Sequence, residues 1–364
     1  MAIMCLFLGF GTLSFALEVI LNDVKPRGSG AMAMQAFEEA ASFWENQFSD
    51  DIIVRINVSF ESLDPGILGS TQSHSQSRAY SNVRSALMAD ATSAYDALAT
   101  SSLQTGDALS VLINDPLGIR DAYFIPDTSN TVVNSTLSVN RANLKALGLL
   151  ADDGFADAQI MFSSDFSFDF DQSDGISAGA FDFVGIAEHE IGHALGFVSG
   201  VDVMDFISEP DGPRGGDFGL SDVADTALFS VLDLYRYSAT SVNFGKTYLA
   251  DEQGDAFLDW GFDNGVIGDA YFSIDGGDSA FAPFSTGAFS GDGKQASHWQ
   301  DNRSLGLMDP TAAPGESLRL TSLDTTAFDL IGWDIAAPIP EPSTFVLLGV
   351  GLLGLRRFYT RRHK

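Results

Sequence analysis

The chain has 364 residues, 45% of them hydrophobic and 29 of them phenylalanine, so it can bury a sizeable core and is not a disordered acidic tail. Lysine and arginine number 19 against 49 aspartate and glutamate, a net charge of −30 that argues against nucleic-acid binding and fits an exported or surface protein. The single cysteine, Cys5, lies in the apolar N-terminal stretch, so stability rests on the core, and on any bound metal, rather than on disulfides.

Residues 1–16, MAIMCLFLGFGTLSFA, read as a secretory signal whose small residues Ser14 and Ala16 precede a signal-peptidase cut, although the usual basic start is absent. One folded unit is expected over 17–338, with an upper half 17–197 and a lower half 198–338. In the upper half, Ala31 to Phe48 has helical spacing and Asp51 to Phe60 alternates like a half-buried strand. The polar TQSHSQS segment around His74 reads as an exposed loop. A second helix is expected around Ser81 to Ala99 and a further strand over Ala158 to Phe170, giving an α+β fold with the order helix–strand–helix–strand–helix. Asp169, Asp171 and Asp174 before Gly175 offer oxygens for calcium, as does SGDGK (Ser290 to Lys294). Neither matches an EF-hand loop, and solvated turns are the commoner explanation of such clusters, so Ca2+ is a secondary expectation.

The string HEIGHALGF, His189 to Phe197, carries the chemistry. Four residues on a helix bring side chains round to within about 40° of one another and about 6 Å apart along the axis. His189 and His193 therefore share a face and can grip one metal ion, while Glu190 stands beside it as a base for water. With 5 His and 11 Glu in the chain, an HExxH string is expected about 0.002 times by chance. The apolar run Ala180 to Ala187 leads into a buried helix, and Gly196 suits the left-handed residue that ends one. A catalytic zinc takes three protein ligands and keeps one position open, so a third ligand is missing. His74 and His363 lie in a polar segment and a basic tail, which leaves His298 in QASHWQDNRSLGLMDP; Asp202, Asp205, or an acid within Ser221 to Tyr235 are the alternatives.

As far as Gly196 the string resembles the metzincin pattern HExxHxxGxxH, then departs from it, because Ser199 stands where the third histidine belongs. The pairing of SHW with LMDP resembles the leishmanolysin-like members, which insert a long segment before the third histidine. That resemblance implies His298 as third ligand, 105 residues after His193, and Met308 as the methionine of a tight turn beneath the metal. It also implies a mixed sheet with helices in the upper half, and an irregular lower half that wraps back to the site. The strand before the zinc helix is then expected to line the cleft, with Phe162 to Phe166 as candidates for pairing with a peptide. The function implied is a Zn2+-dependent endopeptidase acting on protein or peptide substrates. The alternatives are a non-catalytic matrix or adhesion protein on a protease-like fold, and hydrolysis of another substrate by the same activated water.

A closing helix is expected in LTSLDTTAFDLIGWDI, capped by Thr321 or Ser322, ending at Gly332, with Trp333 in the core. Beyond it, residues 339–364 hold Pro340, Glu341 and Pro342, an uncharged run from Pro342 to Leu355, and Arg356, Arg357, Arg361, Arg362 and Lys364. The 14-residue run is short of the ~17–25 residues of an ordinary spanning helix. The segment resembles the PEP-CTERM sorting signal of Gram-negative bacteria. That implies transient membrane anchoring, an exosortase-type enzyme as partner, and delivery to the cell surface or extracellular matrix.

Overall fold

The structure, a computed structural model, describes residues 16–24, 30–114, 123–125, 127–208, 223–248, 256–261 and 269–337. All of the expected signal except Ala16, and the whole sorting tail, lie outside the described residues. No helix among the described residues is long and apolar enough to cross a membrane.

The fold is α+β, built on a mixed sheet. Strand β1 (Glu18–Asp23) leads to helix α1 (Ala31–Glu45), then to β2 (Ile53–Glu61), β3 (Gly69–Ser73) and β4 (Ser75–Ala79). Helices α2 (Tyr80–Asp90) and α3 (Ala94–Ser102) replace the single helix expected there. Ser93 breaks it, because its side chain accepts the Asp96 N–H while Asp96 accepts the Ser93 N–H, a capping box that starts a new helix. Short strands β5 (Val111–Ile113) and β6 (Tyr123–Ile125), helix α4 (Val132–Ser135), β7 (Thr136–Asn140) and α5 (Arg141–Ala146) follow.

The expected strand over Ala158 to Phe170 is two strands, β8 (Ala158–Ser163) and β9 (Phe168–Asp169), separated by a turn. The main sheet runs β1-β2-β8-β3, with β1, β2 and β8 parallel and β3 antiparallel to β8. Thus β8 is an interior strand, and Phe162 is fully buried against Phe37 and Phe183 at 5.2 and 4.3 Å. It cannot offer an edge to a peptide; the outer strand on that side is β3. His74 also departs from expectation. It sits at the bend where β3 leaves β8 and β4 begins pairing with β7, and its Nδ1 lies 2.9 Å from the Ala156 carbonyl.

After β10 (Phe181–Asp182), helix α6 (Phe183–Ala194) crosses behind β3 and packs on α1. Every residue of α6 is buried, the polar Glu188, His189, Glu190 and His193 included. Asp182 caps it, accepting the Gly185 N–H at 3.0 Å. The lower half is irregular, holding α7 (Val201–Ser208), β11 (Arg236–Tyr237), α8 (Ala239–Tyr248), β12 (Leu258–Asp259), β13 (Tyr271–Phe272) and β14 (Ala282–Pro283). Helix α9 (Ser322–Leu330) closes the chain with Thr321 as cap, and Gly332 (φ +103°) follows it. Trp333 is buried, donates to the Leu195 carbonyl at 2.8 Å, and stacks on Phe48 at 5.0 Å, so the segment after α9 is pinned to the end of α6 and to the chain just after α1.

Candidate metal centre

The helix sets two of the three histidines. His189 and His193 leave α6 on one face, with Nε2 atoms 3.0 Å apart. Gly196, at φ +111°, ends the helix in a conformation that costs a residue with a Cβ about 1–2 kcal/mol. A Cβ there would also lie 1.9 Å from Asn143 Oδ1, so the turn admits only glycine. Across that turn the His193 Nδ1 meets the Phe197 carbonyl at 2.6 Å.

His298 arrives from the lower half and completes the group. Its Nε2 is 3.1 Å from that of His193 and 3.2 Å from that of His189. Ligands ~2.0–2.1 Å from a tetrahedral zinc stand about 3.3–3.4 Å from one another, close to the spacing found here. Each Nδ1 faces a backbone carbonyl: Leu307 for His189 at 2.8 Å, Phe197 for His193, and Gln295 for His298 at 3.2 Å. A carbonyl only accepts, so each Nδ1 carries the proton and each Nε2 directs a lone pair inward. Burial holds all three rings neutral, pushing His189 down to about 4, His193 to about 3 and His298 well below its ordinary value. Three lone pairs converging within 3.2 Å repel unless a cation lies among them, and imidazole nitrogens suit zinc. Among the described residues this is the only gathering of three or more His, Cys, Asp or Glu side chains able to hold one ion.

Glu190 stands beside the histidines and against β3. The Thr71 hydroxyl lies 2.6 Å from Glu190 Oε2 and 2.9 Å from its carbonyl, and a Cβ on Gly69 would come within 2.7 Å of Oε1. Burial raises Glu190 to about 7, with the Thr71 hydrogen bond opposing the shift. Ser73 and Asn140 donate to the His193 carbonyl at 2.9 and 3.2 Å, tying β3 and β7 to the last turn of α6. Thr71 and Ser73 belong to the polar segment taken for a loop; an edge strand with one face on a polar site has no apolar alternation to betray it.

Met308 lies under the helix, fully buried, where a Cβ on Gly192 would approach its Sδ to 2.7 Å. Its segment is held by Asp324 of α9, a fully buried carboxylate that accepts from Trp299 Nε1 (2.8 Å), Leu307 N (2.8 Å), Met308 N (3.3 Å) and Thr321 N (2.8 Å). The Leu307 carbonyl in turn accepts the His189 Nδ1–H hydrogen bond, so α9 supports a histidine of α6.

The acidic alternatives serve other purposes. Asp202 accepts the backbone N–H groups of Ala296 (2.5 Å) and Ser297 (3.0 Å), and Asp205 those of Phe289 (2.8 Å) and Ser290 (2.9 Å). Asp233, within the Ser221 to Tyr235 stretch, accepts from Ser199 Oγ (2.6 Å) and Gly200 N (2.8 Å). Asp202 and Asp205 fasten the chain leading to His298, Asp233 fastens the chain just after α6, and none of the three joins the histidines. The calcium candidates do not gather either. Asp169 accepts from Asp171 N and Ser177 N, Asp171 from Ser173 N, and Asp174 is exposed in a short 3-10 turn. Asp292 of SGDGK accepts from Thr286 N and Lys294 N.

Comparison with known proteins adds one match, at the C-terminus. No curated protein and no solved structure matches the chain. Residues 338–362 match the PEP-CTERM protein-sorting motif, one residue earlier than the boundary read from the sequence. The chain therefore carries a C-terminal signal for export and sorting to the cell envelope, of the kind recognised by exosortase-type enzymes.

Proposed function

We propose that the chain is an exported zinc-dependent endopeptidase of metzincin-like architecture, freed of its N-terminal segment by signal peptidase and delivered to the cell surface or matrix. The observation that carries this reading is the convergence of His189, His193 and His298 at 3.0–3.2 Å beside the buried carboxylate of Glu190. The three rings would hold the ion through Nε2. A zinc ion held there supplies the Lewis acidity that polarises a carbonyl and makes water nucleophilic near neutral pH.

The protein's own groups do the rest. Glu190, held by Thr71 through Oε2, accepts a proton from the attacking water as the new C–O bond forms. It then delivers that proton to the departing amine as the C–N bond breaks. The outer strand β3, which carries Thr71 and lies against α6, is the edge on which an extended peptide can add as a further strand. Replacing Glu190 with Gln keeps the shape and removes the base. The expected result is a fall of about 10²–10⁴-fold in cleavage of an unfolded protein, with zinc content unchanged. Undiminished cleavage by E190Q sinks the assignment.

A further inference from the structure

The inference drawn here rests on the zinc reading above and concerns what aims the third ligand. Ser199 occupies the position where the short metzincin pattern has its histidine, and in this fold it fastens the returning chain instead. Its N–H donates to Ser297 Oγ at 2.8 Å and its hydroxyl to the buried Asp233. Ser297 Oγ donates to Asp202 Oδ2, which also accepts the Ser297 N–H, while Asp202 Oδ1 accepts the Ala296 N–H. That last bond matters most. The Ala296 N–H belongs to the same planar peptide unit as the Gln295 carbonyl, and the Gln295 carbonyl faces the His298 Nδ1 at 3.2 Å.

We propose that Asp202 is a positioning residue of the metal centre, orienting His298 through the Gln295–Ala296 peptide. A carboxylate bonded to the N–H side of a peptide polarises its carbonyl, which becomes a better acceptor for the imidazole proton and fixes the ring with Nε2 inward. Asp202 takes three donors from Ala296 and Ser297, and it sits on the first turn of α7, a few residues beyond the end of the zinc helix. The distance from α6 to His298 is thus set by this clasp rather than by the chain between them. Asp205, one turn on, is its natural control. It makes the same kind of clamp, but on Phe289 and Ser290, eight residues or more before His298.

The test measures zinc affinity of the full-length chain by competition with a chromophoric chelator, alongside the melting temperature of the zinc-free protein. D202N puts an amide NH2 against N–H donors and is expected to weaken zinc binding about 10–100-fold. D205N is expected to lower the zinc-free melting temperature by a similar amount yet keep the wild-type affinity for zinc. S297A, a milder change that serves if D202N does not fold, is expected to weaken zinc binding about 3–10-fold. Wild-type affinity in both D202N and S297A overturns the assignment, as does an equal loss in D205N, which would mean general loosening of the lower half. A wild-type chain that binds no zinc would instead overturn the zinc reading, and this inference with it.

Discussion

The two histidines of α6 and the one histidine of the lower half reach the same point in this molecule by different physical routes. His189 and His193 are placed by the pitch of one helix that is buried on every side and capped at its start by Asp182. His298 stands on an irregular segment, where no helix or strand fixes it. Its position comes from Asp202 before it, from Ser285 N–H on its own carbonyl at 3.0 Å, and from Asp324 holding Trp299 and the Leu307–Met308 turn after it. The helical histidines are secured by their helix, and the loop histidine by buried carboxylates that collect N–H donors from distant segments. Each such carboxylate is a single point of failure, because its loss leaves several buried donors unpaired at once.

The lower half leans most heavily on Asp324. D324A leaves the donors of Trp299, Leu307, Met308 and Thr321 unsatisfied in the interior. It is expected to cost about 3 kcal/mol or more of stability in the zinc-free protein, read by chemical denaturation. A loss below about 1 kcal/mol would show that the lower half does not depend on its buried carboxylates.

A smaller effect sharpens the same contrast. Asp50, Asp90 and Asp329 crowd where the closing helix α9 and the last described residues meet α3 and the chain after α1, with Asp334 N donating to Asp50 and Ser93 donating to Asp329. Burial first raises all three, and the charge of Asp334 adds to each, to about 7, 7 and 6. Unfolded aspartate titrates near 3.9, so between about pH 4 and 7 the folded chain binds more protons than the unfolded one. Stability from these groups therefore rises as pH falls through that window. In the zinc-free protein the three histidines, held neutral by burial, pull the other way below about pH 6.5, so the carboxyl effect is read as a difference between two chains. On going from pH 7.5 to 5.5, the urea midpoint of D90N is expected to shift toward lower values relative to that of the wild type, and an identical pH response in the two chains contradicts it.

The two routes also explain what the sequence makes legible. The helical pair is written in a four-residue spacing, so HEIGH declares its own geometry. His298 emerges because histidine is scarce in this chain and because LMDP follows it. The carboxylates that hold it are invisible in sequence, since the donors of Asp202 lie 94 and 95 residues away and those of Asp324 lie on both sides of the Met308 turn. The same reason made Asp202 look like a ligand: a conveniently spaced acid near the motif has no sequence mark that separates binding a metal from binding a backbone. Strand β1 escaped because six residues, EVILND, are too few to show alternation, and β3 because its inner face meets Glu190 and the His193 carbonyl rather than apolar side chains.

The central claim is that one site draws its ligands from both halves of the chain, and zinc per chain measured by elemental analysis tests it most directly. One zinc in the wild type and less than a tenth of that in H298A, at equal protein concentration after gel filtration, is the predicted result. A full zinc retained by H298A, or none bound by the wild type, contradicts it.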